Sequence, residues 1–151
     1  MSMCLHKRGD EEIVFSNLPG DPLDLLFEPN SHEPPSPMPD NATFGLDYSK
    51  PWRDEDPRVV AYLEAERAYF HQATNARIPK FKFSSHDDWW VTPDEIRKTL
   101  DHIQAQGPDL PARLLEAFVG SLYWEPEELA EHFGNFVEFL QECVDEGFLI
   151  S

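Results

Sequence analysis

Five consecutive residues, Ser84-Ser85-His86-Asp87-Asp88, carry two hydroxyls, an imidazole and two carboxylates, and Trp89 and Trp90 follow directly. Such a set holds the groups of a serine nucleophile with its base, or of a histidine–carboxylate metal site. Neither chemistry fits the spacing. A nucleophilic triad needs three groups converging in space, which neighbours on one strand or turn rarely achieve. A transition metal wants three or four ligands, and no second histidine stands at a helical i, i+4 position. His71, His102 and His132 are scattered singly, and the Asp101-His102 pair points two ways from a helix. The expectation is a polar turn whose short side chains bond the local backbone. The rival reading is a small-molecule site or an unrecognised enzyme, with a pocket around His86, Asp87, Trp89 and Trp90.

The residues that follow specify a helix start. In V-T-P-D-E-I, Thr92 is a favoured N-cap, and Pro93 sits where its missing N–H is harmless. Glu95 completes a capping box, and Val91 and Ile96 occupy the two positions of a hydrophobic staple. Consecutive residues on an extended segment face opposite sides, so one of the two tryptophans packs inward. Trp90 is expected as the partly exposed one, an anchor for a partner.

Charge is the leading global feature. Twelve basic residues against 29 acidic ones leave −17. That field opposes nucleic acid and anionic membranes and favours basic protein surfaces. Its placement is uneven, with nine Asp/Glu and no Lys or Arg from Leu114 to Ser151. The basic residues gather weakly at Arg77, Lys80 and Lys82, then at Arg97 and Lys98. The chain has no glycine-rich phosphate loop, no G-x-S-x-G and no H-E-x-x-H. The leading expectation is therefore a non-enzymatic binding protein without metal or cofactor. Glu127, Glu128, Glu131, Glu138, Glu142, Asp145 and Glu146 would meet a basic surface, with Trp90 beside them. An inhibitor or immunity-type protein that occupies the nucleic-acid site of a processing enzyme would have this surface.

Positioning falls to an α+β, predominantly helical domain of about four main helices and two or three short strands. Nine of the fourteen prolines precede Arg58, so residues 1–55 read as a proline-rich arm docking on a domain at 56–151. A short strand is possible near 12–15, and Leu23, Leu25, Leu26 and Phe27 would dock the arm. Asp56 and Pro57 start the first helix, with Val59, Leu63 and Phe70 at helical spacing, Tyr62, Tyr69 and Ala73 widening the apolar face, and an end near Thr74-Asn75. Its start, P-W-R-D-E-D-P-R-V-V-A-Y-L-E-A-E, resembles the first helix of the prolyl-oligopeptidase family. The resemblance covers Pro51 to Glu66 and carries no catalytic position, so it is read as a shared way to begin an amphipathic helix and not as kinship.

Ile78 to Phe83 alternates as a strand would, with Phe81 and Phe83 on one face and Lys80 and Lys82 on the other. Ile96, Leu100 and Ile103 mark the second helix, which Gly107-Pro108 ends. The third starts at Asp109-Leu110-Pro111, with Leu114, Leu115, Phe118, Val119 and Leu122 inward. The fourth starts at Pro126 and runs unbroken through Gly134-Asn135, with Leu129, Phe133, Phe136, Val137, Leu140 and Val144 as its stripe. Gly147 is a left-handed stop before a terminal strand at Phe148–Ile150. Cys4 and Cys143 make neither a disulfide framework nor a metal motif, and Cys143 reads as a core residue. No apolar run approaches membrane-span length and Met1 to Phe15 lacks a leader's hydrophobic stretch, so a reduced, cytoplasmic setting is expected.

Overall fold

The computed structural model describes residues 2–7, 12–16, 26–28, 34, 36–83, 88–117 and 126–151. The strands are β1 (Ser2–Lys7), β2 (Glu12–Ser16), β3 (Trp89–Val91) and β4 (Phe148–Ile150), and the α-helices are α1 (Pro57–Phe70), α2 (Pro93–Gln106), α3 (Leu110–Ala117) and α4 (Pro126–Glu142). Two short 3-10 helices span Asn41–Phe44 and Lys80–Phe83. The fold is α+β and predominantly helical. No described helix is long and apolar enough to cross a membrane.

Among the described residues the sheet has four strands, in the order β2-β1-β4-β3, where two or three were expected. Every pairing is antiparallel, with Leu5 opposite Ile150 and Ile150 opposite Trp89. The extra strand is β1, whose M-C-L-H-K composition shows no alternation of apolar and polar residues. It pairs with neighbouring β2 from Ser2 to His6 and with distant β4 from Leu5 to Lys7. Alternation does hold on the inner face, where Leu5, Trp89, Val91, Phe148 and Ile150 are all buried. Trp90 and Leu149 lie on the other face and are half-buried.

The chain divides into two compact units, Met1–His32 with Ala73–Ser151, and Glu33–Gln72. The first unit holds β1 and β2, and the second holds α1 together with residues 33–56. In the first unit, Leu26 and Phe27 are buried. Phe27 packs on Phe83 at 4.4 Å and edge-on to Phe136 at 5.8 Å between ring centroids. Leu23 and Leu25 lie outside the described residues. In α4, Phe136, Phe139, Leu140 and Cys143 are buried. Phe139 meets Phe148 edge-on at 5.0 Å, tying the helix to β4. The helix runs unbroken through Gly134-Asn135; Gly107 ends α2 at φ of 85°, and Gly147 closes the turn between α4 and β4 at φ of 79°. Gly147 admits no side chain, since a Cβ there would meet the Val91 carbonyl oxygen at 2.5 Å.

Two further elements depart from expectation. Ile78–Phe83 is no strand, because Pro79 has no N–H for a ladder and Lys82 N–H instead donates to the Pro79 carbonyl at 3.2 Å, closing a 3-10 turn. Alternation fails with it, since Lys82 is buried along with Phe81 and Phe83. The first helix ends at Phe70, short of Thr74-Asn75, where Gln72 N–H and Nε2 both turn to the Tyr69 carbonyl, three residues back, in place of an i→i−4 bond. Its buried side is Val59 and Tyr62, while Leu63 is 48% exposed. The ring of Tyr62 draws that side inward, meeting Phe44 at 5.7 Å and Trp52 at 5.5 Å edge-on.

Candidate functional site

The seven carboxylate residues picked from the sequence are all exposed: Glu127, Glu128, Glu131, Glu138, Glu142, Asp145 and Glu146. At 3.6 residues per turn, Glu127, Glu131, Glu138 and Glu142 fall within roughly 60° of one another around α4. Phe136, Phe139 and Leu140 occupy the other side. Apolar burial on one side therefore forces a single acidic stripe on the other.

Local helix energetics account for only part of this stripe. Glu127 and Glu128 lie in the first turn, where the positive end of the helix dipole welcomes them. Glu138 and Glu142 lie toward the negative end, with Asp145 and Glu146 just beyond, and the last turn holds no basic residue. Glu127–Glu131 and Glu138–Glu142 are also like-charge pairs at i, i+4, which weaken a helix. Between the two pairs sits Gly134, within roughly 20° of Glu127 around the axis. An added Cβ there meets nothing within 4 Å, so packing does not require the glycine. Against alanine, a mid-helix glycine costs about 0.5–1 kcal/mol. In the sequence Gly134 lies within an uninterrupted apolar stripe, with no sign of a special role. Its position on the acidic face emerges from the angular register.

Trp90 stands at the far end of the stripe. Its ring lies against Gly147, where a Cβ would come within 2.8 Å of it, directly after Asp145 and Glu146. The structure thus brings Trp90 together with the acidic turn that follows α4. Trp89 is buried in the core, edge-on to Phe81 at 5.1 Å. His86 and Asp87 lie outside the described residues. Among the described residues, no group of three or more His, Cys, Asp or Glu is placed to hold a metal ion.

A buried polar network holds Trp90 from behind. Lys82 Nζ donates to the Trp90 carbonyl at 2.7 Å and to Glu95 Oε1 at 2.8 Å, with both side chains fully buried. Glu95 also accepts from Thr92 N–H at 2.9 Å and from Thr74 Oγ1 at 2.6 Å. The expected capping box is present, since the Thr92 hydroxyl accepts from Glu95 N–H at 3.3 Å. One carboxylate therefore caps α2 and neutralises the cation that grips the edge of β3. Burial pushes the Lys82 ammonium below its ordinary 10.5, and the Glu95 charge and hydrogen bond oppose that shift. Sequence reasoning missed this pair because a Phe-Lys-Phe-Lys alternation reads as two faces, one of them solvated.

No family model, curated protein or solved structure matches the chain. The functional reading therefore rests on the geometry alone.

Proposed function

We propose that this protein is a non-enzymatic binding module that presents the acidic face of α4 to a basic protein surface. The observation carrying this reading is that the face is built at the expense of helix stability. Carboxylates crowd the negative end of the dipole, and a glycine that packing does not need lies between the two glutamate pairs. A notch at Gly134 lets a partner's backbone approach the helix, with Glu127 and Glu131 on one side and Glu138 and Glu142 on the other. Carboxylates one helical turn apart, about 6 Å along the axis, offer a row of negative charge. A surface that ordinarily holds nucleic-acid phosphates would accept such a row, so a nucleic-acid-processing enzyme is the proposed partner class. Half-exposed Trp90 supplies an apolar anchor at the end of the row.

The test is affinity capture from a cell extract with the intact protein and with an E131Q/E138Q/E142Q variant. A basic nucleic-acid enzyme held at low salt, released at high salt and lost with the variant is the expected result. A partner that binds both proteins equally, or ignores salt, removes the acidic face from the mechanism.

A further inference from the structure

The unit Glu33–Gln72 contains a cleft of about 370 Å³, lined among others by Leu46, Asp47, Lys50, Trp52, Arg53 and Arg58. It runs against the charge of the molecule. Lys50, Arg53 and Arg58 face two carboxylates, Asp47 and Asp56, which leaves one net positive charge in a chain of −17. The carboxylates already have partners. Asp56 accepts from Arg58 Nη2 at 2.8 Å and Nε at 3.2 Å, and Asp47 accepts from Ser49 N–H at 2.9 Å and Oγ at 2.6 Å. Arg58 is committed as well, with Nη1 donating to the Gly45 carbonyl at 3.0 Å. Lys50 and Arg53 are exposed, and their side-chain cations have no hydrogen bond or ion pair among the described residues.

Beside these two free cations stands a fixed aromatic wall. Trp52 Nε1 donates to the Asp47 carbonyl at 3.0 Å, and its ring stacks on Tyr48 at 5.2 Å and meets Tyr62 edge-on. Tyr62 also meets Phe44 edge-on at 5.7 Å, which holds the platform further. With its own N–H occupied, the indole has only its apolar surface to offer. We infer that this cleft is a binding site for a phosphate monoester carried on an aromatic group. Lys50 and Arg53 take the phosphate oxygens and Trp52 flanks the ring. Two cations suit a group bearing about −1.5 to −2 charge at neutral pH, and guanidinium and ammonium are its usual donors. The volume is at the small end of ligand sites, which suits a single ring with its phosphate. The cleft shares no residue with the acidic face of α4, so either reading stands or falls without the other.

The experiment titrates the full-length protein with phenyl phosphate, following the Trp52 indole N–H and the Lys50 and Arg53 amides by NMR. Saturable shifts confined to these residues are expected. They should weaken about tenfold or more in K50Q/R53Q, since each charge-assisted bond contributes at least that much. Both replaced side chains are exposed, and an unchanged Trp52 signal in the unliganded variant reports an intact platform. Inorganic phosphate should bind more weakly than phenyl phosphate, and equal affinity overturns the assignment by removing the aromatic wall from it. A short phosphotyrosine peptide separates two sources of the same chemistry. Tighter binding than phenyl phosphate assigns the site to a modified protein side chain, and equal binding assigns it to a free small ligand. Shifts scattered over the surface, or unaffected by K50Q/R53Q, overturn the proposal.

Discussion

Lys82 shows how much one buried side chain decides. A lone ammonium in the core would be prohibitively costly, and here Glu95 and the Trp90 carbonyl share it. Removing one partner strands the other, so Lys82→Met should cost about 3–5 kcal/mol in urea unfolding. Adding Glu95→Gln should recover part of that loss, and a double variant no better than the single would deny the coupling. The pH dependence has a definite sign. The folded value lies below 10.5, so between the two values the unfolded chain holds the extra proton and stability rises with pH. That rise should disappear in the methionine variant.

At the scale of elements, the helices follow from local rules and the glycines in them separate structure from function. Gly147 is required by φ and by the Val91 carbonyl, whereas Gly134 is required by neither. Gly134→Ala should therefore stabilise the protein by about 0.5–1 kcal/mol and weaken capture of a basic partner. Stabilisation without any loss of capture would reduce Gly134 to an accident of the helix. Asp56 caps α1, and hydrogen bonds from the Arg58 side chain and N–H hold its carboxyl below the ordinary 3.8. The stabilisation is present above 3.8 and is lost as pH falls through the lowered value. The Arg58 amide should accordingly report loosening of α1 in strong acid. Asp56→Asn, which keeps a capping oxygen, should flatten that response.

At the scale of the whole molecule, a charge of −17 on 151 residues repels itself. The Debye length falls from about 30 Å at 0.01 M salt to about 8 Å at 0.15 M. The melting temperature should therefore rise across that range, as seen by calorimetry, while affinity for a basic partner falls. A melting temperature indifferent to salt would mean that the carboxylates are already compensated within the fold.

Much of this was legible in the chain because its causes are local. The capping box at Thr92–Glu95, the stops at Gly107 and Gly147, the unbroken α4 and its outward carboxylates all depend on residues within a few turns of one another. Spacing and side-chain type suffice there. The tertiary structure alone decided what depends on distant partners. β4 joins β1 from the other end of the chain, and Lys82 meets Glu95 inside the core. Leu63 is left out of the buried side of α1, where Phe44 and Trp52 pack against Val59 and Tyr62. The free cations of Lys50 and Arg53 stand out only once Asp47 and Asp56 have found other partners. Sequence determines which residues are apolar, charged or conformationally special, but a contact between remote residues is settled by which arrangement leaves the fewest buried groups unsatisfied.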